Sequence, residues 1–153
     1  MFKDVVTMNE AFGSEKGDPK DIQWVRVRAQ ADNILDEYEE LLEALKRQDI
    51  TETRDALCDI LVFTLGAYHF IGHDADEDMR VVYESNMSKF CKTQQEVWDT
   101  QQYYFDLGIE TYTGGELPAM WVKSVKQQKD KYGKNYPQGK FLKCVNWKEP
   151  EFK

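Results

Sequence analysis

Apolar residues recur at helical spacing through most of the chain, and short alternating runs replace them near its end. Val5, Met8 and Phe12 lie three and four apart, which predicts a short opening helix ending near Gly13. The Gly, Pro and Ser content of Gly13 to Pro19 predicts a loop. A long helix follows, starting between Asp21 and Trp24 and running to about Arg47. Its apolar stripe is Ile34, Leu35, Tyr38, Leu41, Leu42 and Leu45. After a short loop at Gln48 to Ile50, Thr51 is expected to cap a third helix over about Glu52 to Ile71. From Leu57 onward nearly every residue of this helix is apolar, small or aromatic, so it is expected to be central and buried.

Gly72 ends that helix, and Asp74 with Glu77 forms the capping box of a fourth. The fourth stripe runs Met79, Val82, Tyr83, Asn86, Met87, Phe90. Thr93 with Glu96 repeats the box, so a fifth helix is expected to reach Leu107 before Gly108. Beyond Gly108, residues 109–113 and 119–125 read as strands around a turn at Gly114 and Gly115, with 141–147 as a third. The pattern therefore predicts a mainly α chain: a helical domain over residues 1–107 and a short β-containing basic tail over 108–153.

Composition narrows the class. A chain of 153 residues, 41% hydrophobic and 13% aromatic, can build a real core and is not generally disordered. No run of about 18 apolar residues is present, so no membrane span is expected. Met1 to Glu10 carries acids and no apolar core, unlike a secretory signal. Cys58, Cys91 and Cys144 are odd in number and far apart, which argues against a disulfide framework and for a reducing cytoplasm. The net charge of −8 disfavours nucleic-acid binding by the whole domain.

That charge is uneven. Between Leu117 and Lys148 lie eight lysines and one acid, Asp130, a net +7 that leaves −15 for the rest. With Trp121, Tyr132, Tyr136 and Trp147 among them, these lysines offer charges and rings to a nucleotide; packing on the acidic body is the reading the composition favours.

The acids need explaining. Asp36, Glu37, Glu39, Glu40 and Glu43 cluster on the second helix, and Asp55 and Asp59 stand one turn apart on the third. Asp59 sits among Leu57, Cys58, Ile60, Leu61 and Val62, where an unpaired carboxylate costs several kcal/mol. In an antiparallel hairpin centred near Asp49 and Ile50, Glu40 faces Asp59 and Glu43 faces Ala56, beside Asp55. Carboxylates gathered without a basic partner repel unless a cation lies between them, and an all-oxygen donor set selects a hard ion such as Mg²⁺ or Mn²⁺. On the fourth helix, Asn86 and Lys89 suit a polyphosphate. No P-loop, Rossmann fingerprint or nucleophilic triad is present. Asp74-x-Asp76-x-Asp78 lacks the glycine and glutamate of a calcium loop, and Gly72 separates His69 from His73.

Glu39-Glu40-x-x-Glu43, then Asp55-Ala56-Leu57-Cys58-Asp59, then Ser85-Asn86-Met87-Ser88-Lys89 resemble the all-α nucleoside triphosphate pyrophosphohydrolases, the MazG-like and phosphoribosyl-ATP pyrophosphohydrolase-like proteins, including phage-type members. The resemblance spans roughly residues 5 to 92. It implies a helical bundle assembled as a homodimer or homotetramer, Mg²⁺ as cofactor, and cleavage of a (d)NTP to the monophosphate and pyrophosphate. Carried over, Glu39, Glu40, Glu43 and Asp59 match metal ligands, and Asn86 and Lys89 match nucleotide-binding positions. The family's second glutamate falls on Ala56; the adjacent Asp55 is one substitute and Glu52-x-x-Asp55 an alternative second frame, as Glu37-x-x-Glu40 is an alternative first frame. Glu39 or Glu40 is the expected base for an attacking water. Two other readings stand beside this one: a phosphoribosyl-ATP or other nucleotide-derivative hydrolase, and a non-catalytic helical module that binds nucleotide or metal.

Overall fold

The computed structural model describes residues 1–153. Five helices come first, α1 (Phe2–Ala11), α2 (Trp24–Arg47), α3 (Ile50–Ile71), α4 (Ala75–Met87) and α5 (Gln94–Asp106). Five short strands follow, β1 (Thr111–Gly114), β2 (Trp121–Ser124), β3 (Gln128–Lys129), β4 (Asn135–Tyr136) and β5 (Phe141–Leu142). The architecture is mainly α with a small C-terminal β extension, as the apolar pattern predicts. Two compact units divide the chain, Met1–Glu77 and Asp78–Lys153, so the break falls within α4 and not at residues 107 and 108.

In the first unit α2 and α3 form an antiparallel hairpin. Gln48, in the left-handed region at φ 54°, stops α2. Asp49 and not Thr51 caps α3: its carboxylate accepts the N–H groups of Thr51 at 3.0 Å and Glu52 at 3.2 Å. An anionic acceptor at the positive helix end outcompetes a hydroxyl two residues later, and α3 accordingly starts at Ile50. Phe2 and Val5 of α1 pack with Leu65 of α3 and Ala75, flanked by Val62 and Tyr68. The loop after α1 folds onto the end of α3: Gly17 donates its N–H to the His69 carbonyl at 2.9 Å, and His69 Nε2 hydrogen-bonds the Ser14 carbonyl at 2.9 Å. A Cβ on Gly17 would stand 1.8 Å from the Phe70 carbonyl oxygen, so only glycine permits this approach.

The expectation that α3 is buried on all sides fails. Ala56, Leu65, Gly66, His69 and Phe70 are buried, yet Leu57 and Leu61 are each 47% exposed. One hairpin partner and one short crossing helix cover only part of a helix's circumference. The fourth stripe is open too, with Met79 and Tyr83 exposed and Asn86 at the surface. No single helix is long and apolar enough to cross a membrane.

In the second unit Thr93 caps α5, accepting the Glu96 N–H at 3.2 Å, while Glu96 reaches back to the N–H of Lys92. Strands β1, β2 and β5 form an antiparallel sheet in that order. Its inner face, Val122 and Leu142, shares one core with Val97, Tyr104 and Ile109. Helix α5 therefore belongs with the strands, which is why the chain does not divide after it. The expected third strand stops at Leu142 because Cys144 turns its N–H to the Lys89 carbonyl at 3.2 Å. The β3–β4 pair was not legible in the apolar pattern. Asp130 organises it by accepting the N–H groups of Tyr132 and Lys134, both at 2.9 Å.

Candidate carboxylate site on the helix hairpin

The hairpin sets the acids of α2 beside those of α3. Glu37 is the part-buried member on α2. Lost hydration, followed by the charges of Glu40, Asp59, Asp55 and Asp36, holds its carboxyl above the ordinary glutamate range. The charges acting on Glu37 thus come from both arms of the hairpin, Glu40 and Asp36 on α2 and Asp59 and Asp55 on α3. Glu37-x-x-Glu40 is linked to Asp55 and Asp59 through the charges acting on Glu37, whereas the groove itself is lined by Glu39, Glu40, Glu43, Glu52 and Asp55. Asp36, one turn before Glu40, joins them. It belonged to the acidic cluster of the sequence but not to the candidate set, and its i, i+4 spacing to Glu40 was the available signal.

Glu43 is exposed and paired with Lys46 at 2.5 Å, and this contact lowers its pKa. Asp36, Glu39, Glu40 and Asp55 are exposed as well. Asp59 is part-buried, not enclosed, so the cost of complete burial does not apply to it. An open groove of about 610 Å³ runs along this end of the hairpin, lined by Asp36, Glu39, Glu40, Glu43 and Asp55, with Lys46 and Arg47 at its margin. The acids share one face without being drawn into a ready-made metal cage. The donor set nonetheless suits a hard cation, since every donor is a carboxylate.

In the second unit, Lys89 Nζ donates to Asn86 Oδ1 at 2.6 Å, so these two residues form one polar group at the end of α4. Asn86 is exposed and finds its partner along its own chain, not in an apolar core. The C-terminal segment is strapped beside them: Ser85 Oγ donates to the Lys148 carbonyl at 2.9 Å, and the Lys148 N–H donates to Ser88 Oγ at 3.0 Å.

The comparisons place this acid-bearing hairpin in the all-α NTP pyrophosphohydrolase superfamily. Residues 5–86 match the family model described as phosphoribosyl-ATP pyrophosphohydrolase. The chain belongs to this family. It is also 30% identical over 126 residues to a protein of Acanthamoeba polyphaga mimivirus that is described as uncharacterized. That alignment covers 82% of this chain and 48% of the relative, so the chain spans about half the length of the curated relative it matches. No solved structure matches.

Proposed function

We propose that the protein is a divalent-metal-dependent nucleoside triphosphate pyrophosphohydrolase, converting a (d)NTP to the (d)NMP and pyrophosphate. The observation that carries this reading is the gathering of carboxylates from both arms of the hairpin along one groove, lined by Asp36, Glu39, Glu40, Glu43, Glu52 and Asp55. Glu37, Glu40, Asp55 and Asp59 would hold Mg²⁺, with Mn²⁺ as a substitute. When bound, the ion neutralises triphosphate charge and makes a water more acidic. Glu39 and Glu40 line the groove and take the role of general base. The carboxylate accepts the water proton, the water oxygen bonds to the α-phosphorus, and the bond to the β-phosphate oxygen breaks. Asn86 and Lys89, hydrogen-bonded to each other in the second unit, keep the phosphate-binding role that the family resemblance implies.

The family description favours a second reading with the same chemistry, in which phosphoribosyl-ATP is the substrate. One experiment separates them: incubation with Mg²⁺ and each common NTP, dNTP and phosphoribosyl-ATP, with monophosphate products and pyrophosphate quantified separately. Pyrophosphate equal to monophosphate is expected. Orthophosphate with nucleoside diphosphate in place of pyrophosphate with monophosphate, or no turnover of any substrate, overturns the proposal.

The working form is proposed to be a homodimer or a pair of dimers. Leu35, Tyr38, Leu42 and Leu45 on α2 and Leu57 and Leu61 on α3 leave an apolar surface open on the hairpin, which a second copy would cover.

A further inference from the structure

The run Ser85-Asn86-Met87-Ser88-Lys89 holds two polar pairs at i, i+3 spacing, offset by one residue. Asn86 and Lys89 are one pair and bond to each other. Ser85 and Ser88 are the other, and their hydroxyls grip the C-terminal segment. Ser85 Oγ donates to the Lys148 carbonyl at 2.9 Å, and Ser88 Oγ accepts the Lys148 N–H at 3.0 Å. Ser88 donates its own proton to the Ser85 carbonyl at 2.7 Å. Two side chains one helical turn apart thus take both backbone groups of Lys148. Neither hydroxyl is left to meet a ligand, and Ser85 is buried while Asn86 is exposed.

These bonds lie where α4 gives out. The helix ends at Met87, so Lys89 stands beyond it. A turn bond from its N–H to the Asn86 carbonyl, at 3.2 Å, holds one side of its backbone. The Cys144 N–H, which its carbonyl accepts at 3.2 Å, holds the other. The neighbouring Phe90 ring leans on Phe141 at 5.0 Å. The C-terminal segment is itself anchored on α5: the Val145 N–H donates to the buried Thr100 Oγ1 at 3.1 Å, and Asn146 Nδ2 donates to Glu96 Oε1 at 2.9 Å. Helix ends fray when nothing holds their last groups. Here residues 141–148 do the holding, and all of these contacts lie within the second unit.

We propose that Ser85 and Ser88 are positioning residues for polyphosphate binding: by tying down the C-terminal segment they fix the backbone from which Asn86 and Lys89 reach phosphate oxygens. This rests on the reading that Asn86 and Lys89 bind phosphate. A lysine on a frayed end loses more conformational freedom on binding than one on a fixed turn. Freeing the segment therefore weakens binding although no group that touches phosphate is removed.

The test uses the whole protein and inorganic tripolyphosphate with Mg²⁺, followed by titration calorimetry. Lys89→Ala sets the scale and should weaken binding about tenfold or more. Ser88→Ala should weaken it by about three- to tenfold, and Ser88→Thr, which keeps a hydroxyl, should restore it to within about twofold. Ser88→Ala added to Lys89→Ala should cost nothing further, because nothing is left to position. A chain ending at Trp147 lacks Lys148 and should match Ser88→Ala. The segment it omits carries two lysines and two glutamates, so no net charge is lost with it. This shorter chain, alone and with Lys89→Ala, replaces Ser88→Ala if that variant does not fold. If Lys89→Ala weakens binding but Ser88→Ala and the shorter chain do not, or if the losses multiply in the double variant, positioning is overturned and phosphate binding by Lys89 stands. No binding by the parent, or parent-like binding by Lys89→Ala, removes the phosphate-binding reading and this inference with it.

Discussion

The ammonium of Lys89 lies 2.6 Å from the side-chain oxygen of Asn86, at the end of α4. The amide fixes a long, flexible side chain before any anion arrives and leaves the other ammonium protons free to donate. If Lys89 contacts the triphosphate, Lys89→Ala should lower kcat/KM by about 10- to 100-fold, and Asn86→Ala by a smaller factor that appears mainly in KM. The pair is at the surface, so both variants should melt within about 0.5 kcal/mol of the parent. Steady-state kinetics with thermal melts checks this, and unchanged kcat/KM in Lys89→Ala would remove the residue from the site.

The two possible acidic frames make different predictions. Glu37→Gln, Glu40→Gln, Asp55→Asn and Asp59→Asn should each reduce turnover by about 100-fold or more while the helical spectrum is retained. Glu43→Gln should keep most of its activity, because Glu43 is held by Lys46 on the exposed side of α2. A severe loss in Glu43→Gln with little loss in Glu37→Gln would restore the frame beginning at Glu39.

Removing one charge from a crowd of like charges relieves repulsion. Without metal at pH 7, Glu37→Gln should be as stable as the parent or more stable, by up to about 1 kcal/mol. Divalent ion should reverse the order. At ten times its dissociation constant, Mg²⁺ stabilises the parent by about 1.4 kcal/mol, a melting shift of a few degrees, and the variant by much less. Calorimetry with and without Mg²⁺ decides, and equal shifts in both proteins would place the ion elsewhere.

Local signals in the sequence survived folding well. The Thr93–Glu96 box, the Asp74 cap and the β1–β2 hairpin around Gly114 and Gly115 stand where short-range chemistry predicts them. Burial did not. The apolar run on α3 cannot distinguish a side covered by α2 from a side left open, since Leu57 and Leu65 look alike in sequence while only Leu65 is buried. The acidic site was legible as a cluster on two consecutive helices. Its frame was not fixed by spacing, because Glu37-x-x-Glu40 and Glu40-x-x-Glu43 share Glu40. The β3–β4 pair was invisible because its organising residue, Asp130, acts through backbone N–H groups and not through an apolar pattern.

Glu96 gives the second unit an acid limit. Its carboxylate accepts the Lys92 N–H and, at 2.9 Å, the Asn146 amide, and these bonds hold its pKa below the ordinary value of 4.5. A carboxyl that loses its proton more readily in the folded state stabilises the fold above the unfolded pKa. That contribution disappears as pH falls through the folded pKa. The melting temperature should therefore decline from about pH 5 downward. Glu96→Gln should be less stable at pH 7 by on the order of 1 kcal/mol and show a shallower decline in acid. Melting curves from pH 7 to pH 3 test both slopes, and parallel curves would show that these bonds do not favour the charged form.

The open apolar face of the hairpin carries the last prediction. Leu42 and Leu45 lie one turn apart on α2 with Leu57 and Leu61 on α3, all between 39% and 52% exposed. Each leucine buried against a second copy contributes roughly 1 to 2 kcal/mol, so several together suffice for a micromolar dimer. A charge placed among them would be stranded in the interface but solvated in a monomer. Leu42→Glu should thus convert the species seen by sedimentation velocity to a monomer while the monomer itself stays helical. If the parent already sediments as a monomer at high micromolar concentration, the exposed leucines have no second copy to meet, and the dimer proposal fails at that point.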